Sequence, residues 1–113
     1  TYLHISLGDF KSETHRYENG QLNRISVIHS LLNGRKPLIG VGSIYTREEA
    51  DQALQLGADL VALGRALLIE PHWVEKVYNE ENVVTAYDEK IDTVIPGPLM
   101  EKILSRPGWI PGI

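Results

Sequence analysis

The sequence predicts an α/β fold with a parallel sheet. Short, nearly continuous apolar runs alternate with segments of helical periodicity. The connections between them are only a few residues long. Glycines mark the points where strands hand over to helices. A βαβαβα order with short connections is the grammar of parallel strands joined by crossovers. At this level it fits either three units of a barrel or half of a doubly wound sheet.

The first strand is predicted from Tyr2 to Leu7, the second from Pro37 to Val41 and the third from Leu60 to Leu63. Each run lacks polar alternation, as expected for a parallel strand buried on both faces. Between the first two, Leu22, Ile25, Val27, Ile28, Leu31 and Leu32 give a helical stripe over Gln21–Leu32. Asn33-Gly34 provides a stop, since both tolerate a left-handed backbone. The next helix opens on Thr46 with Glu49 three residues on, a capping box, and carries an inward stripe of Ala50, Ala53, Leu54 and Leu56 up to Gly57. Arg65 to Ile69 reads as one or two helical turns, and Pro71 opens a helix through Tyr78. Asn79 to Thr93 is polar and weakly patterned, with Asp88–Thr93 read as a solvated loop. Pro96-Gly97-Pro98 reads as a turn, Leu99–Leu104 as a short helix, and the segment to Ile113 as an irregular apolar tail that packs on something.

The chain has 113 residues, whereas a complete barrel needs ~250. The barrel reading therefore requires a piece of a longer protein. The chain also opens inside a strand-like run without an initiator Met. Eleven basic against 15 acidic residues give a net charge of −4, which argues against a sequence-independent nucleic-acid binder. Cysteine is absent, which excludes disulfides, thiolate metal sites and redox dithiols. No signal peptide and no membrane-spanning apolar stretch is recognised, and a cytoplasmic location is expected.

The chemistry-bearing residues cluster where the second and third strands end, at Gly40-Val41-Gly42-Ser43 and at Gly64-Arg65. A phosphate dianion needs several donors converging within ~3 Å. Glycine lets backbone N–H groups approach it, a following helix start adds more of them, and arginine adds a charge-assisted fork. Ser43 can add a hydroxyl. Either glycine alone is compatible with an ordinary strand-end turn. Two of them, one βα unit apart, with Arg65 directly after the second, favour a phosphate site of the kind found after the last two strands of barrels.

The run Pro37-Leu38-Ile39-Gly40-Val41-Gly42-Ser43-Ile44, then Glu48-Glu49-Ala50, Gly57 to Leu68 and Pro71-His72-Trp73, closely resembles the last two βα units of old yellow enzyme-type NADH:flavin oxidoreductases. Tyr2 to Ser6 resembles their sixth strand, and Ile95 to Pro111 resembles the end of single-domain bacterial members. The resemblance implies the C-terminal βαβαβα portion of a TIM (β/α)8 barrel, strands six to eight, over residues 1–94. It implies a tail over 95–113 that packs on the barrel or a neighbouring subunit, where Arg106 and Trp109 are the candidate contacts. It also implies noncovalent FMN, with NADH or NADPH as reductant and an activated alkene or related small molecule as acceptor. The phosphate contacts it implies are Val41, Gly42, Ser43, Gly64 and Arg65, and Phe10 lies in the loop bordering the substrate side of the flavin.

The family's oxyanion-binding and proton-donating residues come from earlier strands, so no catalytic residue is assigned here. His4, His15, His29 and His72 are read as structural or solvated, and Gly8-Asp9 as a turn. Trp73 is read as a packing residue. The missing N-terminal part of the barrel is an expected partner, as is a second copy of the whole protein; nucleic acid and membrane are not. Two rival readings remain: a phosphate-binding barrel enzyme with a non-flavin substrate, and an inactive module that self-associates through open sheet edges.

Overall fold

In the computed structural model, which describes residues 1–14, 22–91 and 93–113, the chain divides into two units, Thr1–Leu63 and Gly64–Ile113. The first contains β1 (Leu3–Ser6), α1 (Arg24–Leu32), β2 (Leu38–Val41), α2 (Arg47–Gln55) and β3 (Leu60–Val61). The strands form one parallel sheet in the order β1-β2-β3. The predicted alternation and strand direction are therefore present. Each strand is shorter than its apolar run, and β3 ends at Val61 rather than Leu63.

Helix α1 begins where Asn23 can cap it. The Asn23 Oδ1 accepts from the N–H groups of Ile25 and Ser26, at 2.9 and 3.2 Å. This supplies two of the four amides a helix start leaves unpaired. Gln21, the predicted first residue, and His15 lie outside the described residues, as does Asp92 of the predicted loop. At the other end, Asn33 and Gly34 adopt φ of 48° and 75°, and the Arg35 guanidinium donates to the Leu31 and Leu32 carbonyls. Helix α1 lies against β2 at Gly40, where an added Cβ would sit 3.3 Å from both Ile25 Cδ1 and Ala58 Cβ. Ser26 Oγ donates to the Leu56 carbonyl at 2.8 Å, which ties α1 to the end of α2.

The capping box on α2 forms as predicted. Thr46 Oγ1 accepts from the Glu49 N–H, and Glu49 Oε2 accepts from the Thr46 N–H. Its inward face is narrower than predicted. Ala50 and Ala53 are buried, whereas Leu54, i+4 from Ala50 but a full step of about 100° beyond Ala53, lies at the margin of that face and is exposed. The expectation of strands buried on both faces also fails for the outer pair. Leu38 of central β2 is fully buried, but Leu3 of β1 and Leu60 of β3 are 40% and 57% exposed. Within this sheet each outer strand has a neighbour on one side only.

The second unit contains α3 (Arg65–Ile69), α4 (Trp73–Tyr78) and α5 (Gly97–Leu104). Pro71 separates the first two. Glu70, preceding it, takes the extended backbone that a following proline demands, with φ −135° and ψ 81°. Helix α4 therefore starts at Trp73, two residues later than predicted. Helix α5 starts earlier than predicted, since Pro98 fits a first helical turn. No described residue between Asn79 and Ile95 belongs to a helix or strand. Trp73, Ile69, Ile103 and Ile110 are buried, which agrees with the packing role expected of Trp73 and of part of the tail. No helix among the described residues is long and apolar enough to cross a membrane.

Candidate functional site

In the first unit the residues singled out by sequence meet at the ends of β1 and β2. Leu7 N–H donates to the Val41 carbonyl at 3.0 Å, and Phe10 N–H donates to the Gly42 carbonyl at 2.9 Å. Ser43 Oγ donates to the Gly8 carbonyl at 2.7 Å. The loop after β1 is thus stitched to the loop after β2. Gly42 makes the seam possible. Its φ is +155°, and an added Cβ would stand 2.8 Å from both the Leu7 oxygen and the Phe10 nitrogen. Ser43 follows with φ 51°, a left-handed value uncommon for a residue with a side chain. Its hydroxyl proton, expected from sequence to face a ligand, is engaged by Gly8.

Phe10 is among the most buried side chains, at 1% exposure. Its carbonyl accepts from Asn23 Nδ2 at 2.9 Å, so the residue that caps α1 also fixes this loop. The neighbouring Asp9 forms the predicted turn, its Oδ1 accepting from the Lys11 N–H at 2.8 Å and its carbonyl from Ser12. Lys11 Nζ lies 5.4 Å from the centre of the Phe10 ring. The outward groups of this loop are therefore Asp9 and Lys11, with Phe10 acting as the anchor.

In the second unit Gly64 precedes α3, and nothing lies within 4 Å of where its Cβ would be. Packing within the chain therefore gives no reason for glycine at this position. Among the described residues, neither the Gly42 N–H nor the Gly64 N–H donates to a backbone carbonyl. Arg65 Nη1 donates to the Trp109 carbonyl at 2.8 Å. Within the second unit, an open approach at Gly64 and an arginine beside it are donor chemistry of a kind that suits an anion.

One feature of the second unit is invisible to sequence reasoning. Glu70 is a buried carboxylate, 3% exposed. Its Oε2 accepts from Lys76 Nζ at 2.6 Å and from the Val84 N–H at 3.1 Å, and its Oε1 from the His72 N–H at 3.3 Å. Burial by itself raises the pKa of this carboxyl. The Lys76 ammonium and the two amides outweigh it and hold Glu70 below the ordinary carboxylate value of 4.5. Glu70 thereby joins the end of α3 to α4 and to the strandless segment after it. The available signal was a glutamate directly before Pro71 with Lys76 downstream, a pattern common to many solvated surfaces.

The described histidines are all exposed. His4 is exposed on β1, and His72 makes an exposed 3.5 Å pair with Glu75. His29 is exposed too, but the backbone at Gly57 crosses it closely. A Cβ there would lie 2.6 Å from the His29 Cβ, which gives His29 a structural role. No group of three or more metal-ligating side chains occurs among the described residues.

No family model matches the chain. Individual proteins do. It is 34% identical over 114 aligned positions, 97% of its length, to the Bacillus subtilis protein named "Probable NADH-dependent flavin oxidoreductase YqiG". It is 31% identical over 88% of its length to the NADH:acrylate oxidoreductase of Vibrio harveyi. Over 52% of its length it is 37% identical to a dihydroorotate dehydrogenase (quinone) of Halobacterium salinarum. The chain spans 31% of the first of these proteins, 10% of the second and 17% of the third.

Proposed function

Starting from homology to proteins named as NADH-dependent oxidoreductases, the first of them a flavin enzyme, we propose that this chain is the FMN-phosphate-binding portion of a larger flavin oxidoreductase. We assign it to strands six to eight of a TIM (β/α)8 barrel and the helices after them. The observation that carries the reading is the 34% identity to YqiG across 97% of the chain. The sequential parallel order β1-β2-β3 supports it, and so do the exposed Leu3 and Leu60, which suit strands that continue into further strands on either side.

When bound, FMN supplies hydride transfer from NADH or NADPH to an activated alkene or related acceptor. The contribution of this chain is to bind and orient. The Gly42 and Gly64 amides and the Arg65 guanidinium would hold the phosphate, with Val41 and Ser43 shaping the turn at Gly42. Ser43 does this by donating its hydroxyl to the Gly8 carbonyl rather than to the phosphate. On the substrate side, Phe10 anchors the loop whose exposed members, Asp9 and Lys11, face outward. Catalytic acid and oxyanion-binding groups are assigned to parts of the barrel outside these residues.

The test is Arg65→Ala in the full-length protein, read by FMN titration. Loss of one charge-assisted contact to a phosphate is expected to raise the dissociation constant about 10- to 100-fold, from ~1.5–3 kcal/mol. Unchanged affinity overturns the assignment.

A further inference from the structure

The peptide unit between Phe10 and Lys11 is held at both of its polar ends by side chains. Its carbonyl accepts from Asn23 Nδ2 at 2.9 Å, and its N–H donates to Asp9 Oδ1 at 2.8 Å. The preceding peptide unit is fixed separately, by the bond from the Phe10 N–H to the Gly42 carbonyl at 2.9 Å. Asn23 is itself firmly placed. Its Oδ1 accepts from the Ile25 and Ser26 amides, Arg24 N–H donates to the Ser12 carbonyl at 3.0 Å, and Glu13 and Asn23 form an antiparallel bridge. A planar peptide whose carbonyl and amide are both engaged cannot rotate without breaking one of those bonds. Beyond it stands the exposed side chain of Lys11, whose ammonium lies 5.4 Å from the centre of the buried Phe10 ring. Among the described residues no carboxylate forms an ion pair with that ammonium.

We infer, on the acceptor-side reading of this loop proposed above, that Lys11 contacts the acceptor and that Asn23 is the positioning residue that presents it. A lysine carries its charge on a long, flexible stem. Fixing the backbone at its base and drawing the ammonium over an aromatic ring restricts where that charge can stand, before any ligand arrives. Its N–H donors suit the oxygen conjugated to an activated alkene, and the bond they make is charge-assisted. The Phe10 ring is the platform rather than the contact, since it is buried. Asn23 acts at a distance, through the Phe10 carbonyl. An aspartate in its place keeps an oxygen for the α1 amides and lacks the donor for that carbonyl.

Kinetics of the full-length protein, with NADH and 2-cyclohexen-1-one as the alkene probe, test this. Lys11→Met is expected to raise KM for the probe about tenfold, the loss of one charge-assisted hydrogen bond, with kcat little changed. Asn23→Asp is expected to raise KM about three- to tenfold. In both variants FMN affinity is expected to stay within about twofold, because the Phe10–Gly42 bond is untouched. Lys11→Met/Asn23→Asp is expected to match Lys11→Met, because Asn23 acts through Lys11. Unchanged KM in Lys11→Met overturns the contact. Additive losses in the double variant, or FMN affinity falling in step with KM in Asn23→Asp, overturn the positioning role. A parent that binds FMN but does not reduce the probe overturns the contact and leaves the phosphate reading standing, whereas a parent that binds no FMN removes that reading and the inference with it. Amide exchange examines the clamp without flavin. In the cofactor-free protein Asn23→Asp is expected to speed exchange over residues 11–14 while the Ile25 and Ser26 amides keep their protection, and unchanged exchange over 11–14 overturns the positioning role.

Discussion

Replacing Gly42 by alanine attacks the seam between the first two strand ends. The new methyl would stand 2.8 Å from the Leu7 oxygen, 2.8 Å from the Phe10 nitrogen and 3.0 Å from the Asp9 carbonyl carbon. All three are backbone atoms, so no rotamer change relieves them. Forcing a methyl into so close a site costs ~1–3 kcal/mol. Holding alanine at φ +155° adds roughly 1–2 kcal/mol. If the loops separate instead, the Phe10-to-Gly42 hydrogen bond is lost, about 1 kcal/mol. The expected destabilisation is therefore about 2–5 kcal/mol, measured by urea unfolding of the flavin-free full-length protein so that cofactor binding does not enter. Gly64→Ala is the matched control. Its Cβ meets nothing within 4 Å, so the expected loss is confined to holding alanine at φ −116° and ψ −91°, about 1–2 kcal/mol, while on the phosphate reading FMN affinity falls. A Gly42→Ala protein as stable as its parent would refute the reasoning, since the seam would then be soft rather than close-packed.

Two other outcomes follow from the same contacts. Glu70→Gln removes the charge partner of Lys76 and is expected to cost about 1–3 kcal/mol in unfolding free energy. The pH dependence has a definite sign. Glu70 is more acidic folded than unfolded, so its stabilisation is fully present above 4.5 and is lost as pH falls through the lower folded value. The parent should therefore lose stability more steeply than Glu70→Gln in acid, and parallel curves would contradict the network. Asn23→Ala leaves two α1 amides and the Phe10 carbonyl without their partner, an expected loss of about 1–2 kcal/mol. Asn23→Asp, which keeps the cap but not the amide donor, should fall between the two in the same assay.

Local chemistry was enough to read much of this molecule from its sequence. The Thr46–Glu49 box, the Asn33-Gly34 stop and the Gly8-Asp9 turn depend on residues at most three apart, and each forms as their side-chain donors and backbone preferences dictate. Parallel strands could be read because apolar runs without alternation have few other uses. What sequence could not supply was set by contacts between distant residues. Leu54 and Leu60 are apolar, yet their exposure is decided by which neighbours the sheet and α2 provide. Glu70 looks like a surface acid until Lys76 and Val84 are brought to it. Ser43 looks like a ligand donor until the Gly8 carbonyl, 35 residues earlier, accepts the hydrogen bond from its hydroxyl. At the phosphate candidates, the residue types were a property of the sequence. That Gly42 is glycine because the backbone of another loop presses on it, while Gly64 faces open space, was decided by tertiary structure alone. A one-dimensional pattern records which residue can tolerate a close approach, but not what makes the approach.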